Sequence, residues 1–203
     1  GQFYAGAVMA AWIGTRWGTS SPILFLLVVP VASALAGALW AGVPALLRAR
    51  YGVLEVITTI MLNFIAEHLV GFLVHGPLQE VGKTYPQSDL IAAAARLAPL
   101  LEGARLTWAL PLGVLLAFVV WIVLTRTRPG FSLRAAGANP LAARVSGRIP
   151  VLKVTTLAFL ASGAIAGLAG AAEVCGVTFA LYEKLSPGYG YTAIAVALLA
   201  RLH

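Results

Sequence analysis

The sequence has little of what holds a water-soluble domain together and little of what enzymes commonly work with. Of its 203 residues only 10% are charged, seven are acidic, three are histidine and one is cysteine. A soluble domain carries about a quarter charged residues, so this scarcity excludes water as the main solvent. The lone cysteine, Cys175, excludes a disulfide framework and, inside an apolar run, reads as a small packed hydrophobe. His68, His75 and His203 stand apart from acidic or cysteine partners at any zinc spacing, which argues against a metal site. The sequence contains no Gly-x-x-x-x-Gly-Lys-Ser/Thr loop, so it has no means of cradling ATP phosphates. A nucleophile, a base and an orienting group do not occur together, which speaks against a membrane-embedded enzyme.

What the sequence does have is apolar length. Sixty per cent of its residues are hydrophobic, and they gather in runs that approach or exceed the roughly 20 helical residues needed to cross a hydrocarbon core. Five spans can be drawn, Gln2 to Trp17, Ile23 to Leu47, Val53 to His75, Thr107 to Thr125 and Val154 to Ala180. A sixth run, Tyr191 to Ala200, is too short to cross and reads as cut off or re-entrant. The predicted fold is an all-α polytopic transmembrane bundle of five to six spans, one transmembrane domain over 1–203 with no internal repeat. The first run lacks the basic start and cleavage site of a signal peptide, so it counts as a span. The opening Gly1 and the closing Leu202-His203 predict a chain truncated at both ends.

The formal net charge of +7 does not form a basic face interleaved with aromatics, so nucleic acid is not an expected partner. The basic residues sit in short connections, which is how a membrane protein sets its orientation in the lipid bilayer. Arg48 and Arg50 follow the second span, while Arg126, Arg128, Arg134, Arg144, Arg148 and Lys153 fill the connection 126–153 with no acidic residue. Both connections are therefore expected in the cytoplasm. The connection 76–106 mixes Lys83, Arg96 and Arg105 with Glu80, Asp89 and Glu102 and lies an odd number of crossings away, so it is expected outside. Within it, Leu90 to Leu101 is rich enough in alanine and leucine to predict a short surface helix.

Polar residues inside the spans are the candidates for function. Glu55, Thr59, Asn63 and Glu67 recur every four residues, a stripe on one helix face. An acidic side chain at the bilayer centre costs about 3 kcal/mol on insertion scales, so such a stripe should face the bundle or a wet pathway. Glu55 also suits the positive end of a helix dipole, and Asn63 an interhelical staple. Glu173 has no neighbouring cation in sequence and is a further pathway candidate. In the same span Gly163, Gly167 and Gly170, with Ser162 and Ala166, carry small-residue spacings that permit close helix packing.

The basic connection has its own pattern. Pro129 and Gly130 predict a helix break, Asn139 an N-cap with Pro140 at the first helical position, and a single short helix runs through Leu141, Ala142, Ala143 and Arg144 to a stop at Gly147. A capped, arginine-edged helix outside the membrane suits docking to a partner; resting on anionic lipid is the alternative.

From this point the sequence resembles the inner-membrane permeases of ABC importers that serve branched-chain amino acids, ribose-type sugars and nucleosides. The matching segments are Gly1-Gln-Phe-Tyr-Ala-Gly-Ala, Tyr51 through Ala66, Gly137-Ala-Asn-Pro-Leu-Ala-Ala-Arg144, Ser162 through Gly170 and Ser186 through Arg201. The second of these is closest to the nucleoside subgroup, although Leu54 stands where that subgroup often has Asn. Arg148 and Pro150 also depart from the usual exit of the short helix. The resemblance implies that Gly137, Asn139, Pro140, Ala142, Ala143, Arg144 and Gly147 belong to a coupling helix seated in a cytoplasmic ATP-binding subunit. That partner would bind ATP and Mg, and this chain would bind no cofactor. It further implies a second permease subunit, an external solute-binding protein and a bacterial inner-membrane location. Phe64 and Phe72 are the aromatics expected to stack on a nucleobase. Sugar and branched-chain amino-acid permeases remain alternatives, as does an ATP-independent secondary transporter or channel, for which the sequence shows no inverted repeat.

Overall fold

A computed structural model describes residues 1–16, 22–93, 96–100, 106–145 and 149–200 of the chain. Among these the architecture is all-helical, with two isolated β-bridges and no strand. The helices are α1 (Gln2–Arg16), α2 (Pro22–Tyr51), α3 (Glu55–His75), α4 (Ala109–Arg126), α5 (Arg128–Ala138), α6 (Pro140–Val145), α7 (Val151–Glu173) and α8 (Tyr189–Leu199). Four of them are long and apolar enough to cross a membrane: α2, α3, α4 and α7, the last extended by a π-helical turn over Val174–Thr178. The first span drawn from the sequence is α1, only 15 residues long. It is the most deeply packed element, with Ala7, Ala10 and Ala11 fully buried.

Lipid tails are as apolar as leucine, so helices in a membrane associate through close packing rather than through hydrophobic burial. The core triad α1, α2 and α7 shows how. A Cβ added to Gly167 would stand 2.2 Å from the Ser33 carbonyl oxygen, and one on Gly6 would stand 2.1 Å from the Gly167 oxygen. Gly163 meets Ala41 and Gly37, and Gly170 meets the Phe3 oxygen at 2.0 Å by the same measure. Gly163 thus pairs with Ala41 and Gly37, and Gly167 with Gly37 and Ser33, which makes α2 antiparallel to α7. Ser33, fully buried, donates its hydroxyl to the Gly6 oxygen at 3.0 Å and ties α2 to α1. Pro30 and Pro44 both lie inside α2, where each removes one helical N–H donor. On α3 the buried positions Thr58, Ala66, Val70 and Val74 turn toward the triad. By contrast α4 and α8 have no buried residue.

At the end of the bundle away from the arginines, the connection that follows α3 folds back as a cap. The Ser88 amide donates to the Leu181 oxygen at 2.7 Å and the Leu181 amide returns a bond to Ser88 Oγ at 2.9 Å. Ile91, fully buried, donates its amide to the Phe179 oxygen at 2.9 Å, and Leu97 donates to the Cys175 oxygen at 2.8 Å. These bonds replace the surface helix expected over Leu90 to Leu101: among the described residues this stretch is irregular, with a single 3₁₀ position at Ala93. The reason is accounting. The π turn and the left-handed Phe179 (φ 56°) leave backbone groups without helical partners, and buried backbone must find them elsewhere.

Glu80 organises the tip of the cap. Its carboxylate accepts from Gln87 Nε2 at 2.8 Å, the Tyr85 amide at 2.9 Å and the Thr84 amide at 3.0 Å. The Gln87 bond first, then the Tyr85 amide, hold this carboxyl below the usual glutamate range. A lowered native value means that the contribution to cap order is present above the unfolded-state value of about 4.3 and is lost as pH falls through the native one. Protection of the Thr84 and Tyr85 amides, taken against the intrinsic exchange rate at the same pH, should therefore fall on acidification below that range, and Glu80→Gln should show low protection at neutral pH with no further acid step.

Candidate functional site

The polar stripe on α3 divides when its surroundings are known. Each four-residue step rotates by about 40° around the helix, so Glu55 and Thr59 lie over the Ala66 side while Asn63 and Glu67 turn toward the α1 flank. Glu55 pairs with Arg48 across the α2–α3 turn and begins the helix. Thr59 donates its hydroxyl to its own helix, to the Glu55 oxygen at 2.9 Å. Asn63 and Glu67 stand about 12 and 18 Å further along the axis. There Asn63 Oδ1 accepts from the nitrogen of Gly1 at the start of α1, and exposed Glu67 flanks Tyr4.

Around these two residues the bundle collects aromatic groups with polar handles. Tyr4 is 5% exposed, and neither its hydroxyl nor the buried Nε1 of Trp40 has a hydrogen-bond partner of good geometry among the described residues. Glu67 and the Ser186 backbone stand beside the Tyr4 hydroxyl. Phe3 joins this group to a second one. Its ring meets Tyr4 edge-on at 5.8 Å and Tyr189 at 5.8 Å, and Tyr189 stands beside Glu173 of α7 in the lining of one cleft. Half-buried Glu173 lines an open cleft of about 490 Å³ with Thr178, Tyr182, Lys184 and Tyr189. The belt Glu67–Tyr4–Phe3–Tyr189–Glu173 offers ring faces, hydroxyls, an indole N–H and two carboxylates. That is a surface for holding a flat polar solute rather than for covalent chemistry.

The structure brings Asn63, Glu67 and Glu173 into this neighbourhood and leaves Glu55 and Thr59 at the basic end. Phe64 and Phe72 do not join it: they are 53% and 67% exposed on outward faces of α3. The aromatic groups gathered here are Phe3, Tyr4 and Tyr189, with Trp40 nearby, and the sequence analysis singled out none of them. An available signal was that Tyr4 and Trp40 place hydrogen-bonding tips inside otherwise apolar helices. Gly163, Gly167 and Gly170 are packing residues in the triad, as their spacing suggested. His68 and His75 each hydrogen-bond a carbonyl one turn back on α3.

The basic segment forms two helices, not one. The break predicted at Pro129 and Gly130 is present, since α4 ends at Arg126 and Thr127 is extended; but a new helix follows at once, the Thr127 hydroxyl accepting from the Gly130 amide at 3.3 Å and Pro129 sitting in the first turn of α5. Proline is well tolerated there because its missing N–H has no helical partner anyway. Gly130 lets α5 fold tightly against α4, a Cβ there meeting the Val123 oxygen at 2.1 Å. Asn139 then caps α6, its Oδ1 accepting from the Ala142 amide at 3.0 Å, with Pro140 next. On α6 Ala143 is buried while Leu141, Ala142, Arg144 and Val145 are exposed. Gly137 is exposed in open space, and Gly147 lies outside the described residues.

The sequence matches the family model described as the branched-chain amino acid transport system permease component, over residues 1–203. The chain belongs to that permease family. Among curated relatives, a glucose ABC transporter permease protein of Haloferax volcanii is 38% identical over 99% of this permease chain and 55% of its own length. A guanosine ABC transporter permease protein of Bacillus subtilis is 35% identical over 98% of the chain and 58% of its own length. A nucleoside ABC transporter permease protein of Lactococcus lactis is 31% identical over 96% and 57%. The permease chain thus spans a little over half the length of the curated relatives it matches. No solved structure matches it. Family and apolar helices together make it part of a multi-pass membrane protein.

Proposed function

We propose that the chain is the substrate-conducting part of an ABC importer permease, and that its solute is a nucleoside. The observation that carries this reading is the aromatic belt of Tyr4, Phe3 and Tyr189 between Glu67 and Glu173. A nucleobase has a π-face to stack on Phe3 or Tyr189 and edge groups for an amide and carboxylates. The guanosine and nucleoside permeases among the relatives support the same class. Energy would come from ATP and Mg on a cytoplasmic ATP-binding subunit gripping the α5–α6 segment, and solute from an external binding protein docking near the cap. A second permease subunit would complete the pathway in a bacterial inner membrane. By the positive-inside rule the arginine-bearing end faces the cytoplasm.

Glucose import is a second reading, favoured by the 38% identical relative. ATP-driven uptake by the assembled transporter in vesicles separates the two, since excess guanosine or uridine should suppress uptake of a labelled nucleoside and excess glucose should not. The reverse pattern selects the sugar reading. In the same assay Asn63→Leu should lower uptake by roughly tenfold, the equivalent of about 1.4 kcal/mol of lost polar contact. Wild-type uptake with unaltered solute preference would reassign Asn63 to helix packing.

A further inference from the structure

Between the basic ends of α2, α6 and α7 lies a groove of about 830 Å³ whose wall is mostly apolar, including Ala45, Leu152 and Phe159, and whose rim carries Arg48, Arg144 and Lys153. We propose that this groove holds an anionic phospholipid, with the phosphate at Lys153 on the Arg48 side of the rim and an acyl chain along the apolar wall. The inference concerns membrane placement and is independent of which solute is carried.

Charge is the first argument. No acidic residue lines the groove, and Glu55 engages Arg48 from its flank while no other ion pair forms among the described residues. Arg144 and Lys153 therefore lack a carboxylate partner within hydrogen-bonding reach, and cations brought together in a groove favour an anion. Depth is the second. Arg48 lies in the last turn of the long apolar α2 and Lys153 in the first turn of α7, the level at which long basic side chains reach the headgroups. The apolar wall is the third. Phe159 is eight residues past Val151, about 12 Å along the helix axis, which is deeper than a protein docked on the surface extends. A free phosphate would use the rim and leave that wall bare; a lipid uses both.

The test uses the assembled transporter purified in mild detergent, with retained lipid counted by native mass spectrometry after incubation with phosphatidylglycerol or phosphatidylcholine. Phosphatidylglycerol should be retained over phosphatidylcholine, and Lys153→Glu should reduce that retention by roughly five- to tenfold, the scale of removing and reversing one surface cation. Lys153→Arg should restore it. Arg144 is left unaltered because it belongs to the coupling segment. Equal retention of the two lipids, or unchanged retention in Lys153→Glu, overturns the proposal. So does displacement of the lipid by millimolar inorganic phosphate, which would mark a simple anion site, and so does efficient cross-linking of Lys153→Cys to the ATP-binding subunit.

Discussion

Gly167→Ala is expected to unseat the core of the bundle. The added Cβ would lie 2.2 Å from the Ser33 carbonyl oxygen and 3.1 Å from Gly37 Cα. Both are backbone atoms in the middle of a helix, so neither can swing aside as a side-chain tip would. Relief requires α7 to move away from α2, and that movement also breaks the contact between Gly167 and Gly6 on α1. Overpacking of a well-packed interior costs about 1 to 3 kcal/mol, and more where backbone must move. In a membrane no hydrophobic driving force compensates for lost contact between helices. The purified transporter carrying Gly167→Ala should therefore unfold at a clearly lower temperature than wild type. Gly113→Ala on α4 is the control, because a Cβ there meets nothing within 4 Å; indistinguishable melting of the two variants would refute the packing role given to Gly167.

Arg144→Glu should abolish ATP-driven uptake while leaving the protein inserted and assembled. Arg144 is exposed on α6, beside exposed Leu141 and Val145, while Ala143 faces inward. This side pattern leaves the arginine free for a partner and keeps the bundle indifferent to its charge. Breaking a desolvated charge pair across an interface costs about 2 to 5 kcal/mol, much of it from the partner group left unpaired. Reversal adds repulsion, so uptake should fall by a hundredfold or more, on the order of 3 kcal/mol. Arg144→Lys should be intermediate, since an ammonium cannot reproduce a bidentate fork. Wild-type uptake by Arg144→Glu would remove α6 from the coupling role.

Much of the architecture was legible before any coordinates. Scarce charge and recurrent apolar runs imply membrane helices because a polar backbone in lipid has to satisfy itself within the helix. The Asn139–Pro140 cap was readable for the same local reason, as both residues act within one turn. Where the reading failed, the deciding partner lay far away in sequence. Leu90 to Leu101 has helix-forming residues, yet Ile91 and Leu97 donate their amides to Phe179 and Cys175, and tertiary pairing overrides weak propensity. The break before Pro129 was legible, whereas the helix α5 that follows depends on the Thr127 cap and on its packing against α4 through Gly130.

The sequence by itself determined the class of solvent, the order and type of most helices, the glycine spacing of α7 and the family. All of these depend on composition or on residues within a few turns of one another. Only the tertiary structure decided which polar residues share a site. It paired Glu55 with Arg48, set Asn63 against the start of α1 and placed Glu67 beside Tyr4. It also linked them through Phe3 and Tyr189 to Glu173. The physical reason is that helix periodicity places a residue on a face but says nothing about which distant helix that face meets. That choice is made where small residues let backbones approach, and here Gly6, Gly37 and Gly167 make it.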